Sequence, residues 1–345
     1  MARGSVPVAF REGLVNRIRP TIMVLITAAL ATTVHSGSLD PAGPPAPTMK
    51  SLDVVEPRRA ISSLPFTISQ SGSYYLTGNL EASGDGIRVL GTAISVSLDL
   101  NGFSLIGAGT SAGIAADIGT KILSVRNGTV RGWDVGISTD YGITARLSHV
   151  TVDGNIYRGV QVFGGGEIEN SAVIGNNQIG LLAGANTVIR HSKVIGNGLT
   201  GIYLFGGGSS VESSFISGNG YVSTYNEPWT KAGIWAVSAN RIVNCLVQNN
   251  AGDGILIGDS NYLADNHLTQ NNAAGISGPT GAANRIEGNY LARNIGKGIS
   301  IEGTGNILMR NTAAGNVAGN YAIAPGNIAT IETTSIANLA SNIQY

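Results

Sequence analysis

The chain has 345 residues, 49 of them glycine, with 43% hydrophobic residues, 12% charged residues and 21 basic groups against 21 acidic ones. So apolar a chain with so little charge is not disordered, glycine without a strict triplet is not collagen, and balanced charge offers no basic face to nucleic acid. The single cysteine, Cys245, cannot form an internal disulfide, and aromatics are only 6%, so stability must come from packed Val, Ile, Leu and Ala.

Residues 1–36 read as a signal peptide. Arg3, Arg11, Arg17 and Arg19 precede an apolar run from Ile22 to Val34 and then small residues, with cleavage after Ala31 or Ser36 both compatible. The run is about 13 residues, short for a bilayer span, although the long basic region keeps an anchor as the alternative. Removal of this segment takes four arginines and one glutamate and leaves 17 basic and 20 acidic residues, formally −3. The expected location is secreted or periplasmic, with no membrane span after signal removal. Residues 37–56 form a Pro-rich flexible leader.

Residues 57–112 are expected to hold an N-terminal cap and the first coils. Here Val96, Leu98 and Leu100 alternate with Ser97, Asp99 and Asn101, a strand that ends at Asn101-Gly102 before a second strand, Phe103 to Ile106.

Regular coils then occupy 113–319. A Gly-aliphatic phrase begins at Gly136, Gly159, Gly180, Gly201, Gly233, Gly254, Gly275 and Gly298. An asparagine keeps step with it at Asn155, Asn176, Asn197, Asn219, Asn250, Asn271, Asn294 and Asn316. Both markers recur at about 21–23 residues except across one long gap. Aliphatic residues stand eight before each asparagine (Leu147, Ile168, Ile189 through Leu308) and three before it (Val152, Val173, Val194 through Ala313). Each period therefore contains three short strands separated by turns, and no segment carries a helical stripe. This predicts an all-β parallel β-helix solenoid of ten or eleven coils, about 4.8 Å apart. The asparagine has two expected uses at its turn: tolerance of left-handed torsions and amide hydrogen bonds along the stack. Five before it lie Ser171, Ser192, Ser214, Cys245, Asn266 and Asn289, a column of small or polar inward groups in which Cys245 is a packed residue. Residues 320–345 lose the step and are expected to close the solenoid.

These repeats resemble right-handed parallel β-helix proteins of the pectin-lyase-like superfamily. "PFTISQSGSYYLTGNL" followed by "VSLDLNGFSLIG" is similar to the start of a group of secreted bacterial β-helix proteins. The resemblance implies right-handed coils over roughly residues 57–320. It implies a choice among polysaccharide lyases, epimerases, hydrolases, tailspikes and assembly proteins. The Asp-Pro-His, Gly-His-Gly and Trp-Ile-Asp-His motifs of the enzymes do not occur in the chain.

The long gap carries an inserted loop, 220–232, with Tyr221, Tyr225 and Trp229 beside Glu227 and Lys231. Insertions in solenoids gather on one face and often bind. Strand alternation directs one column outward from the Gly-aliphatic strands: Ser138, Gln161, Leu182, Tyr203, Trp235, Leu256, Ser277 and Ser300, with Phe163 and Phe205 two further on. Tyr203, Phe205, Tyr225, Trp229 and Trp235 are the candidate glycan-binding residues, the alternative being that these rings pack on one another. Glu227 and Lys231 are the candidate acid and base, the alternative being a solvated loop pair. His149 and His191 share a column but sit two coils apart, about 10 Å, and do not meet on one ligand. Asp253, Asp259, Asp265 and His267 are spread around a coil and make no metal site; no cofactor is expected. The chain is expected to bind or act on polysaccharide or a surface glycan, as a lyase, epimerase or glycoside hydrolase if it is an enzyme, or else to serve as a non-catalytic structural or cell-surface rod. Ice binding is disfavoured by the mixed outward columns.

Overall fold

The computed structural model describes residues 57–222, 231–332 and 341–344. The expected signal segment and the whole Pro-rich leader, residues 1–56, lie outside the described residues, as do Tyr225, Glu227 and Trp229. Every element among the described residues is a β-strand.

Each coil has three strands. The first face is a 12-stranded parallel sheet that runs from Phe66–Ile68 through Ile202–Leu204 and Ile234–Ser238 to Tyr321–Ile323. The second and third faces together form a 24-stranded sheet, because in two coils a single ten-residue strand, Ile122–Arg131 and then Thr144–Asp153, runs unbroken across both. Among the described residues there are about twelve coils, close to the ten or eleven expected. The extra turns lie in the first stretch, where Ser95–Asp99 and Ser104–Gly107 form two faces of one coil without the asparagine marker.

The aliphatic columns stack in the expected register. Leu147 pairs with Ile168, Ile168 with Ile189 and Ile189 with Val211 on the second face. Val152, Val173, Val194 and Ile216 do the same on the third. All are at most 2% exposed, and each buried aliphatic side chain stabilises the coil by about 1.5–3 kcal/mol.

All three corners are built alike: the amide ladder expected of the asparagine is present, with Nδ2 of each donating to Oδ1 of the next, but the left-handed torsion expected of that asparagine is corrected. The left-handed residue is the one before it: Gly154, Gly175, Gly196, Gly218, Asn249, Gln270, Arg293 and Gly315 have φ of 52–68°. The asparagine itself turns inward. Its Oδ1 accepts the backbone N–H of the equivalent residue in the preceding coil, where the corner interrupts strand pairing, as in Asn155→Asn176→Asn197→Asn219→Asn250 at 3.0–3.1 Å. The phrase glycines make room for this ladder. A Cβ on Gly180 would lie 2.6 Å from Asn197 Nδ2 and 2.7 Å from the Gly201 oxygen.

The second corner repeats the device with Ser171, Ser192, Ser214, Cys245, Asn266, Asn289, Asn311 and Asn342. Cys245 is 2% exposed and its thiol is pushed up to about 12 by burial. The third corner holds a ladder that the sequence reading missed: Ser209, Asn240, Asn261, Asn284, Asn306 and Asn327. Trp133, fully buried, heads the first ladder. Its backbone N–H donates to Asn155 Oδ1 and its indole to the Leu105 oxygen.

Candidate functional site

The outward column of the first face has the expected order. Ser138 pairs with Gln161, Gln161 with Leu182, Leu182 with Tyr203, Tyr203 with Trp235, Trp235 with Leu256, Leu256 with Ser277 and Ser277 with Ser300. Successive coils thus place aromatic residues one strand spacing apart. Tyr203 and Trp235 lie face to face, 4.1 Å between centroids and 6° between planes. Phe205 meets Tyr203 edge-on at 6.1 Å, and Phe163 meets Phe205 edge-on at 5.8 Å. Tyr141, 64% exposed, stacks on Phe163 at 4.8 Å. Beneath the rings, Ile179, Leu182 and Leu199 form a small apolar cluster separate from the core. Such ring pairs contribute about 0.5–1.5 kcal/mol beyond area burial, and burial raises the Tyr203 phenol above its usual range. Tyr203, Phe205 and Trp235 are therefore brought together and packed on one another, all three half-buried.

Past Trp235 the strip opens into a groove of about 380 Å³, lined by Trp235, Val237, Leu256, Asp259, Pro279 and Thr280 among others. That volume falls in the usual range of small-molecule sites, about 300–1,000 Å³. Pro279 and Thr280 are exposed, as is Asp259, whose Oδ1 accepts the Ala282 N–H at 2.8 Å.

On the same outer surface the structure adds a titratable group. Asp253 precedes the strand Ile255–Asp259 and is 8% exposed. Its carboxylate accepts the Ala274 N–H at 2.8 Å and bonds the hydroxyl of Ser277, the neighbour of Leu256 in the outward column. Burial, partly offset by those bonds, pushes its pKa up to about 6, where a carboxyl can both give and take a proton near neutrality. No sequence signal distinguished Asp253 from other aspartates; its burial comes from the neighbouring coils.

Lys231 lies half-buried at the corner ahead of Gly233, its carbonyl accepting the Gly252 N–H at 2.9 Å. Its proposed partner Glu227 is outside the described residues. His149 and His191 occupy the left-handed position of the second corner, with φ of 54° and 49°, and are exposed. Asp265 fills the same position three coils beyond His191, at φ 55°, and His267 meets the Tyr290 ring edge-on at 4.8 Å.

The arginines concentrate on the second face. Arg190 is ion-paired with Glu167 and Glu169, and Arg241 with Glu212. Glu287 takes Arg285 and Arg310, each at 2.8 Å, and the Tyr262 hydroxyl. The Arg285 hydrogen bond leads in holding the Glu287 carboxyl at about 2.

A family model described as "Right handed beta helix region" matches residues 135–289 and 230–344, more than half of the chain. No curated protein matches it. Among solved structures, the chain is similar to the A-module of the Azotobacter vinelandii mannuronan C-5 epimerase AlgE6 (12% identity, 80% of this chain and 91% of that one, TM-score 0.46). It is also similar to the periplasmic alginate epimerase AlgG (12% identity, 79% and 70%, TM-score 0.40). The AlgE4 A-module of Azotobacter vinelandii, likewise a mannuronan C-5 epimerase, gives 16% identity over 74% and 90% with a TM-score of 0.39. Likeness at this level assigns no activity to the chain.

Proposed function

As this chain belongs to the right-handed β-helix family, we propose that it binds polysaccharide on its first face, in the groove beside Trp235, outside the cytoplasm. One observation carries the reading: an aromatic strip over several coils ends in a groove whose apolar walls, Trp235, Leu256 and Pro279, are edged by the hydrogen-bonding groups of Asp259 and Thr280. Apolar walls with a few placed polar groups suit sugars, which present C–H faces and hydroxyl edges. The export half of the reading rests on the basic and apolar N-terminal run. No helix among the described residues is long and apolar enough to cross a membrane.

The test is a glycan array run beside a polysaccharide depolymerisation screen, with the wild type and a Tyr203→Ala/Trp235→Ala double variant. Binding by the wild type that is lost in the folded double variant supports the proposal. Absence of any glycan binding refutes it and leaves the structural rod.

Catalysis is the second reading, and Asp253 is the observation that favours it: a buried carboxyl poised near neutrality on the binding face. Glu227 and Lys231 remain the acid–base pair proposed from sequence. Product release abolished in Asp253→Asn, or in Glu227→Gln or Lys231→Met, would make the protein a lyase, epimerase or hydrolase. Binding without turnover makes it a lectin-like module.

A further inference from the structure

Resting on the glycan-binding reading above, we infer that the groove beside Trp235 selects uncharged sugars and turns away uronates and other acidic ones. The argument is one of charge placement. Of the described residues that line the groove, Asp259 is the one that bears a charge, and it is negative. A further carboxyl on that surface is Asp253, on the same coil and tied to Ser277. A sugar carboxylate in the groove would meet charge of its own sign, and like-charge juxtaposition is an established means of rejecting a wrong partner.

None of the described residues that line the groove is a cation. Arg190, Arg241, Arg285 and Arg310 lie at the second face in ion pairs with glutamates. On the first face, Arg158 is three coils nearer the N-terminus than Trp235, held over the Tyr157 ring at 4.4 Å and bonded to Gln161. Lys231 is not among the described residues lining the groove. Hydroxyls, by contrast, fit the rim. The Asp259 carboxylate is an acceptor for sugar O–H groups in charge-assisted bonds, and Thr280 both gives and takes.

The experiment uses the full chain and pairs of oligosaccharides that differ only at C6: mannan and mannuronan, glucan and glucuronan, galactan and galacturonan hexamers. Affinities are measured by calorimetry at about 0.01 M and about 0.15 M salt, where the screening length falls from about 30 Å to about 8 Å. In any pair that binds, the neutral member is expected to bind about tenfold or more tightly at low salt, with the ratio shrinking at higher salt. Asp259→Asn narrows the ratio and Asp259→Lys inverts it; if the lysine variant does not fold, the asparagine variant decides. Equal or tighter binding of a uronate by the wild type overturns this inference and leaves the groove reading standing. A ratio unmoved in the folded Asp259 variants overturns the charge argument. No binding by either member of any pair refutes the groove reading, and the inference falls with it.

Discussion

The asparagine ladder allows a quantitative test at Asn197, which is 1% exposed. Its Nδ2 donates to the Val173 oxygen at 3.1 Å and to Asn219 Oδ1 at 2.9 Å. Its Oδ1 accepts the Asn176 backbone N–H at 3.1 Å and Asn176 Nδ2 at 2.9 Å. Asn197→Ala deletes these four bonds and strands two donors of Asn176 away from water. At about 1–3 kcal/mol for each unsatisfied buried group, the loss is expected to be about 2–6 kcal/mol. Asn177, the residue after Asn176, is exposed, so Asn177→Ala is the control on the neighbouring coil, within about 0.5 kcal/mol of wild type. Guanidinium unfolding followed by far-UV circular dichroism measures both, and native-state hydrogen exchange should show the loss centred on the coils of Asn176, Asn197 and Asn219. Asn197→Asp keeps the acceptor but turns a carboxylate toward two oxygens. Its folded pKa is therefore raised, so its deficit is small below about pH 4, the unfolded value, and grows as pH rises through the folded one. If Asn197→Ala unfolds with its control, the ladder does not hold the corner.

Two further outcomes follow from the corners and the binding face. Asp253 has a folded pKa of about 6, above its unfolded value of about 3.9; the stability linked to it is fully present below about pH 4 and lost as pH rises through 6. Asp253→Asn, which keeps the acceptor for Ala274, should flatten that part of the pH–stability curve and raise stability at pH 7 by about 1–3 kcal/mol; an unchanged curve refutes the burial argument. At His191, with φ of 49°, a β-branched side chain is strained while asparagine is tolerated. His191→Val should cost about 1–2 kcal/mol in chemical unfolding and His191→Asn close to nothing, whereas equal loss in both would give the imidazole a role of its own.

The repeat made most of the fold legible. A residue at one position of a coil has the same neighbours as its equivalent in the next, so the columns Leu147–Leu308 and Val152–Ala313 could be assigned from spacing alone. The outward column from Ser138 to Ser300 followed from strand alternation. Other features escaped for physical reasons. The third-corner ladder from Asn240 to Asn327 is as periodic as the first, but Thr187 and Ser209 fill its position in the earlier coils, so its asparagine run is shorter. The left-handed residue was misplaced by one because glycine, asparagine, glutamine and arginine all fill it, so residue type does not mark it. The first coils were undercounted because Trp133 and Leu100 stand where later coils have ladder side chains.

The candidate site divides in the same way. Sequence by itself determined that Tyr203 and Trp235 would be neighbours, since parallel in-register stacking turns a period into an adjacency. It also determined the three-stranded coil, because every inward position must be apolar or satisfied by its own ladder. Only the tertiary structure decided that the rings lie face to face, that a groove opens where Leu256 and Pro279 succeed Trp235, and that Asp253 is the buried carboxyl of that surface. Those properties depend on how side chains from several coils fill shared space. Packing and desolvation are set by all the neighbours at once, and a periodic pattern names the neighbours without specifying how their side chains fit.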